Sequence, residues 1–206
     1  MAHYDILGNI ALVKFKRGVK RKAQVKEAVY LLKTYKGVRT VLEKSDKFKG
    51  RLRTLTTRYV LGEKTKEVLY KENGCEFRFN VDTCYFSPRL ASERKEIASF
   101  VKKGERVLVM FGGVAPFAII ISKNSKATKV VSVELGRECN KYALENIKRN
   151  KAENVELVQG DVRRKVPSLK EKFDRIVMTR PNLKDDFLDV AFSKLKTGGM
   201  IHYYGF

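Results

Sequence analysis

The stretch from Val107 to Phe117 constrains the fold of this chain more than any other part of its sequence. A run of apolar residues leads into Gly112 and Gly113, and a second apolar run follows from Phe117 to Ile121. This order predicts a buried strand, a tight turn and the start of a helix. In an open α/β sheet, ligands bind at such a turn because glycines let a nucleotide-like group approach the main chain. The turn lacks the GxGxxG pattern, so by itself it also fits a plain tight turn.

Further strands and helices follow this glycine turn at a regular rhythm. An apolar strand over residues 129–134 ends on Glu134, about 20 residues beyond the glycines, where a carboxylate can bind both ribose hydroxyls of a nucleoside. One amphipathic helix and three more strands are predicted at 137–150, 155–161, 173–178 and 200–204. The alternation predicts an α/β fold with a Rossmann-like, doubly wound parallel sheet. Asp161 closes the third strand and no GK[ST] motif is present, which favours a nucleoside cofactor such as S-adenosylmethionine over NAD or ATP.

The first 81 residues predict a separate, smaller α+β domain. Apolar β-type runs flank Gly8–Asn9, as in a hairpin or a bent strand, and apolar residues recur at helical spacing from Arg21 to Tyr35. Three further strands are predicted at 38–42, 51–59 and 67–80, with turns at Gly50, Gly62–Glu63 and Asn73–Gly74. We therefore expect a domain of residues 1–81 followed by the Rossmann-like domain of residues 82–206.

Positive charge is concentrated in the front part of the chain. The 206 residues include 44 Lys and Arg against 23 Asp and Glu, a net charge of +21, and residues 14–53 contain only three acids. A generally Lys-rich surface would also raise the net charge, but the uneven distribution favours a polyanionic partner. We expect nucleic acid to be held by the basic domain and modified by the other.

The composition disfavours several classes of protein and site. No apolar run approaches the roughly 18 residues of a membrane helix, and the N-terminus lacks the apolar core of a signal peptide, so we expect a cytoplasmic protein without membrane contact. Three scattered cysteines predict neither a disulfide framework nor a zinc site. Two distant histidines do not suggest a metal centre, and we expect no metal ion.

Three motifs together resemble one family of enzymes. They are YFSPRLASER at Tyr85–Arg94, the glycine turn at Val107–Phe117, and GGMIHYY at Gly198–Tyr204. With the opening Tyr4–Ala11, they are similar to the archaeal and eukaryotic tRNA (guanine-N1)-methyltransferases, which act on the purine 3′ of the anticodon. The resemblance covers nearly the whole chain. It implies methyl transfer from S-adenosylmethionine to N1 of that guanosine, with the tRNA anticodon stem-loop as partner; we expect a monomer.

The resemblance also implies a role for each matched residue. Methylation of guanine N1 needs a base for the N1 proton and positive charge near O6, where negative charge accumulates. The implied catalytic residues are Glu93 as the base, Arg53 at O6, and Thr179. The implied cofactor-binding residues are Arg94, Phe111, Gly113, Glu134 and Asp161. The implied substrate-binding residues are Tyr85, Arg89 and Pro181.

Four of these residues also have plain structural explanations. Glu93 could be an acid at a helix start paired with a nearby basic residue. Arg53 could bind phosphate or simply contribute surface charge. Glu134 could be a solvated acid at a strand end, and Asp161 could be a helix N-cap. The residues alone leave these alternatives open.

The cofactor motif departs from the family at three positions. The family usually has Asp at the position of Val109, Gly at that of Ala115, and Asn at that of Thr179. A valine cannot accept hydrogen bonds, and the methyl group of an alanine narrows the approach to the backbone. Phe206 ends the sequence just after the fifth predicted strand, so we expect an incomplete C-terminal edge of the sheet.

These departures leave three hypotheses for function. The chain could be an active tRNA methyltransferase, or a weak or inactive relative that serves as a tRNA-binding module. It could also be a wybutosine-pathway aminocarboxypropyl transferase, a related class that typically has Gly-Tyr-Phe where this chain has Ala115–Phe117. The retention of five residues favours the methyltransferase: Arg53, Glu93, Arg94, Glu134 and Asp161. The loss of the carboxylate at position 109 and of the amide at position 179 favours the binding module.

Overall fold

The computed structural model describes residues 2–44, 50–179 and 185–204. The chain divides into two compact units. The first comprises the described parts of Met1–Glu72 and Glu76–Pro88, and the second those of Asn73–Cys75 and Arg89–Phe206. The domain boundary after residue 81, and the function of each domain, stay predictions.

The first unit is built on a four-stranded sheet with one helix. The strands are β1 His3–Leu7, β2 Ile10–Lys14, β3 Thr40–Lys44 and β4 Thr57–Gly62, and the helix is α1 Arg21–Thr34. They pair in the order β1-β2-β3-β4, with β1 and β2 forming the predicted hairpin around Gly8–Asn9. Strands β2 and β3 are parallel, since α1 makes the crossover between them. A buried cluster under the helix includes Ala11, Val13, Ala28, Leu31, Val41 and Val60.

Strands β5 (Glu67–Glu72) and β6 (Cys75–Asn80) form a two-stranded sheet of their own. The two residues between them, Asn73 and Gly74, have φ angles of 48° and 74°. A tight hairpin of type I′ needs positive φ at both central positions, which Asn-Gly adopts readily. The hairpin predicted at this dipeptide is therefore confirmed.

The strand predicted at 51–59 is wrong in its bounds. Residues 50–53 form a turn, in which the N–H of Arg53 donates to the carbonyl of Gly50 at 3.1 Å. Strand β4 begins only at Thr57 and continues to Gly62, which the sequence predicts as a break. It extends this far because Gly62 still pairs with Thr40 of β3. The glycine has a φ of 97°, a conformation that glycine adopts without strain.

The second unit contains a five-stranded parallel sheet. Its strands are β7 Arg106–Met110, β8 Lys129–Glu134, β9 Val155–Gln159, β10 Phe173–Met178 and β11 Leu195–Tyr203. They pair in the order β11-β10-β7-β8-β9, and each neighbouring pair is parallel. The predicted Rossmann-like sheet is confirmed, with the bounds of β8 and β10 as predicted.

Five helices accompany this sheet among the described residues. They are α2 Ala91–Phe100, α3 Pro116–Asn124, α4 Arg137–Asn150, α5 Val162–Lys165 and α6 Leu188–Lys194. Helix α4 has the predicted bounds, and α2 ends at Phe100, after which a turn closed by Glu105 N–H and the carbonyl of Lys102 precedes β7. None of the described helices has the length and apolar character needed to cross a lipid bilayer.

The last strand begins earlier than the sequence predicts. We expected it at Met200, but β11 starts at Leu195, which pairs with Phe173 of β10. The next pair is Arg175 with Met200, so β11 carries extra residues at an irregularity that contains Gly198–Gly199. Such a bulge lets a strand continue across glycines that would otherwise be expected to interrupt it.

Candidate functional site

Glu134 lies at the carboxyl end of β8, and the main chain holds its carboxylate through both oxygens. Oε2 accepts a hydrogen bond from the N–H of Gly113 at 2.9 Å, and Oε1 accepts one from the N–H of Gly136 at 2.6 Å. An ionised carboxylate has about four acceptor positions, so it retains capacity for a ligand. Two residues predicted for the cofactor, Gly113 and Glu134, are therefore in contact. Gly136 is a partner that the sequence did not indicate.

The turn between β7 and α3 holds three residues in the left-handed backbone region. Phe111, Gly113 and Ala115 have φ angles of 64°, 57° and 65°. This conformation costs a residue with a Cβ atom roughly 1–2 kcal/mol. Strain of this kind is concentrated at ligand-binding turns. The φ angle also explains physically why a glycine is expected at the position of Ala115.

Thr179 joins the ends of two neighbouring strands. Its hydroxyl lies 2.8 Å from the carbonyl oxygen of Phe111 and 3.2 Å from that of Met110, and it can donate to either. The N–H of Thr179 also donates to the carbonyl of Met110, at 3.3 Å. The structure thus brings Thr179 together with Phe111, although the hydroxyl proton is used by the main chain. An asparagine here would present an amide instead.

Ser132 of β8 is buried beside two positions of the glycine motif. It is in register with Val109 of β7, and a Cβ atom at Gly112 would lie 2.0 Å from its Oγ. Ser132 is 1% exposed, and its hydroxyl has no hydrogen-bond partner among the described residues. Valine in place of the aspartate expected at position 109 leaves this hydroxyl without a polar neighbour across the strands.

Asp161 lies one residue beyond Gly160, which follows β9, and it caps helix α5. Its Oδ1 accepts a hydrogen bond from the N–H of Arg163 at 2.9 Å. The preceding residue, Gly160, donates its N–H to the carbonyl of Glu134 at 2.8 Å, which keeps the ends of β8 and β9 together. The N-cap explanation therefore holds for one oxygen, and a cofactor role for Asp161 stays a proposal.

Glu93 lies in the first turn of α2 and is half-buried. The hydroxyl of Tyr204, just beyond β11, donates to its Oε1 at 2.9 Å. Within the described residues, its hydrogen-bond partner is therefore a tyrosine and not the basic residue that a plain helix-start acid would have. The sequence motif contains Tyr204 but gave it no role; its place at the carboxyl end of a predicted strand was the available signal.

The neighbour of Glu93, Arg94, points into the protein. Its side chain is 1% exposed, and its guanidinium carbon lies 5.6 Å from the centre of the Phe117 ring in α3. A buried guanidinium over an aromatic ring is favourable, because the ring face is electron-rich. Arg94 thus contacts the Phe117 ring, against which Tyr204, the partner of Glu93, also packs.

The remaining predicted site residues lie elsewhere. In the first unit, the guanidinium carbon of Arg53 lies 3.9 Å from the centre of the Tyr85 ring, so these two residues are stacked. Arg53 has a φ angle of 51°, which is strained for a residue with a side chain. Arg89 is exposed in the 3₁₀ turn Pro88–Leu90. Pro181 lies outside the described residues.

Three carboxylates, those of Asp185, Asp186 and Asp189, lie close enough together to suggest a cation site. Arg163 donates to Asp185 at 2.7 Å and to Asp189 at 3.0 Å. These hydrogen bonds hold the pKa of both carboxyls below their ordinary values. Arg163 therefore supplies a positive partner for two of the three carboxylates. That the protein binds no metal ion stays a prediction.

Comparisons with known proteins agree with the geometry of the second unit. The model of the TRM5/TYW2 methyltransferase domain matches residues 68–206. The chain is 38% identical over 204 residues to the tRNA (guanine(37)-N(1))-methyltransferase Trm5b of Pyrococcus abyssi, covering 98% of this chain and 59% of that protein. It is 32% identical over 200 residues to the tRNA 4-demethylwyosine(37)-methyltransferase Taw21 of Saccharolobus solfataricus, covering 97% and 76%.

A solved structure shows the same fold. The crystal structure of Methanocaldococcus jannaschii Trm5 in complex with adenosine superposes with a TM-score of 0.84 at 28% identity, covering 98% of this chain and 60% of that one. This chain thus spans about three fifths of the length of the Trm5 proteins that it matches.

Proposed function

This chain belongs to the TRM5/TYW2 methyltransferase family, and from that membership we propose that it methylates tRNA at N1 of the guanosine that follows the anticodon. The activity, the substrate and the cofactor are all part of this proposal, because this chain matches only part of the length of the Trm5 relatives. A cytoplasmic location and a monomeric state stay predictions from the sequence.

The residues around Glu134 fit a nucleoside cofactor. The Glu134 carboxylate is oriented by two backbone N–H groups and retains acceptor capacity for a ribose diol. Phe111, whose ring packs edge-on against Phe187, offers an aromatic surface at the end of the neighbouring strand β7, and Asp161 offers a carboxylate for an adenine amino group. S-adenosylmethionine held by these residues and by Arg94 supplies an electrophilic methyl group.

In this proposal, residues of the chain accept the N1 proton of the target guanine and stabilise the negative charge that develops on it. Glu93 accepts the N1 proton, and its electron pair stays on N1 for the new bond to carbon. Arg53 stabilises the charge that develops on O6, and Tyr85 stacks on the target base. Thr179 orders the strand ends beside the cofactor, and Arg89 and Pro181 are proposed to contact the tRNA.

The geometry of Glu134 is the observation that carries this proposal. A solvated acid at a strand end would not be fixed through both oxygens by N–H groups from two different turns. The first experiment is calorimetric titration of S-adenosylmethionine into the chain, followed by transfer of labelled methyl to an unmodified tRNA with G after the anticodon. We expect micromolar binding and transfer, with loss of transfer in Glu93→Gln.

Two controls make the result specific. Glu96→Gln, an exposed acid on the same helix, should keep the activity. A tRNA with A after the anticodon should accept no methyl group. Binding of tRNA without cofactor binding or transfer would contradict the methyltransferase proposal and support a tRNA-binding module.

A modified purine is a second candidate substrate. The relative that acts on 4-demethylwyosine matches this chain over 76% of its own length, more than the Pyrococcus abyssi relative does. Mass spectrometry of tRNA nucleosides, after reaction with tRNA carrying either guanosine or 4-demethylwyosine, separates the candidates. Transfer of an aminocarboxypropyl group instead of methyl would support the third hypothesis.

A further inference from the structure

Tyr204 lies at the carboxyl end of the parallel sheet, directly after β11. Its hydroxyl donates to Glu93 Oε1 at 2.9 Å, across 111 residues of sequence. The ring packs edge-on against Phe117 in the first turn of α3, with centroids 6.1 Å apart and planes at 65°. Two elements therefore hold this side chain, α3 through its ring and α2 through its hydroxyl.

The Tyr204 hydroxyl is a permanent donor. Burial raises its pKa far above the ordinary value of 10.0, and the hydrogen bond to Glu93 and the charge of that carboxylate raise it further. Arg94 opposes this effect and Glu96 adds to it, both through charge. Since the phenol stays protonated throughout the pH range in which proteins are folded, it always offers its proton to Glu93.

A carboxylate with one donor on one oxygen loses much of its rotational freedom. With Oε1 bound to Tyr204, the Glu93 side chain is restricted to orientations in which Oε2 is turned away from the Tyr204 hydroxyl. An oriented base transfers protons faster than a mobile one, because the reactive geometry is already formed.

We propose that Tyr204 is a positioning residue for proton transfer, holding one oxygen of Glu93 so that the other receives the N1 proton of the target base. This inference rests on the proposed methyltransferase function. In the step concerned, the N1–H bond breaks and the O–H bond of Glu93 forms. The electron pair on N1 makes the bond to the methyl carbon, while the carbon–sulfur bond breaks with its electrons staying on sulfur.

The test is single-turnover methyl transfer by Tyr204→Phe over a range of pH, with cofactor and tRNA affinities measured in parallel. We expect the rate to fall roughly tenfold, as for loss of one charge-assisted hydrogen bond. We also expect the acid limb of the pH profile to change, since the residue that accepts the proton has lost its hydrogen-bond donor. Both affinities should be unchanged.

Tyr203→Phe is the matched control, since it removes a hydroxyl from the adjacent, 49% exposed tyrosine. It should leave the rate and the pH profile unchanged. A Tyr204→Phe variant with the wild-type rate and pH profile would overturn the proposal, because a role in packing alone is preserved by phenylalanine.

A measurement without turnover separates this inference from the proposed function. The ring Cζ resonance of Tyr204 in carbon NMR reports on the hydrogen bond that its hydroxyl donates. We expect this resonance to shift when Glu93→Gln replaces the charged acceptor, and to shift much less in Glu96→Gln. If the wild-type chain transfers no methyl group, the proposed function fails and the positioning role fails with it; an unchanged resonance in Glu93→Gln would refute the Tyr204 contact alone.

Discussion

Arg175, which is buried, and His202, which is half-buried, form a pair that determines which ring nitrogen of the imidazole carries the proton. The Nη1 group of Arg175 lies 2.7 Å from Nε2 of His202. A guanidinium can only donate, so Nε2 accepts, and the neutral ring carries its proton on Nδ1. Glu105 binds Nε of the same guanidinium at 2.9 Å, and the carbonyl of Phe100 accepts from Nη2 at 2.7 Å. Protonated His202 would therefore meet a fixed cation.

This pair predicts a loss of stability in mild acid. Burial lowers the pKa of His202 below its ordinary value of 6.5, and the charge of Arg175 lowers it further, against the opposing charges of Glu93 and Glu105. The unfolded chain then binds a proton more readily than the folded one. This contribution is fully present above about pH 6.5 and is lost as the pH falls through the folded-state pKa.

Denaturant unfolding at a series of pH values checks this expectation. His202→Gln keeps an oxygen that can accept from Arg175 but cannot be protonated in this range. The difference in unfolding free energy between wild type and His202→Gln should change below about pH 6.5. Parallel curves for the two proteins would show that His202 does not contribute.

Ala115 and Ala118 provide a matched test of backbone strain. Both are fully buried, but Ala115 has a φ of 65° whereas Ala118 lies inside α3. Substitution by glycine removes a methyl group from each and relieves strain only at position 115. We expect Ala115→Gly to be about 1–2 kcal/mol less destabilising than Ala118→Gly in thermal or denaturant unfolding. Equal effects would contradict strain at the turn.

Glu134→Gln should weaken cofactor binding. The amide keeps one acceptor oxygen, so either Gly113 or Gly136 would face an NH₂ group and a ribose hydroxyl would lose a charged partner. Loss of a charged hydrogen bond of about 1.5–3 kcal/mol corresponds to roughly 10- to 100-fold weaker binding in calorimetry. Glu138→Gln, at an exposed acid paired with Lys141, is the control and should bind normally.

Val109→Asp should destabilise the protein, and a hydrogen bond from Ser132 should reduce the loss of unfolding free energy. Val109 is fully buried on the central strand, and an unpaired buried charge costs on the order of 3 kcal/mol or more. The unpartnered hydroxyl of Ser132 can donate to the new carboxylate, so Ser132→Ala should cost more in the Val109→Asp background than in wild type. A double-mutant cycle measures this coupling, and a value near zero would contradict it.

Binding of tRNA should weaken steeply with salt. Exposed Lys22, Lys26 and Lys33 lie on α1 in the basic front part of the chain. If they contact phosphates, replacing all three by Gln should reduce the slope of log affinity against log salt by about two to three. Lys141→Gln, in the second unit, should leave the slope unchanged. An affinity that does not depend on salt would refute phosphate binding.

Local sequence patterns were sufficient for most of the Rossmann-like sheet. The bounds of β8, α4 and β10 follow from apolar runs and helical spacing bordered by turn residues, because these signals lie within each element. The first residues of β4 and β11 were not predicted by local patterns, because pairing with β3 and β10 decides where those strands begin.

For the candidate site, the sequence by itself determined which residue types stand at the strand ends: the glycine pair, Glu134, Asp161 and the acid at the start of α2. Only the tertiary structure decided how they are held. The N–H groups that orient Glu134 come from two different turns, and the hydroxyl on Glu93 comes from a residue 111 positions away. Such contacts depend on the order in which the parallel strands pair, and the spacing of residues along the sequence does not specify that order.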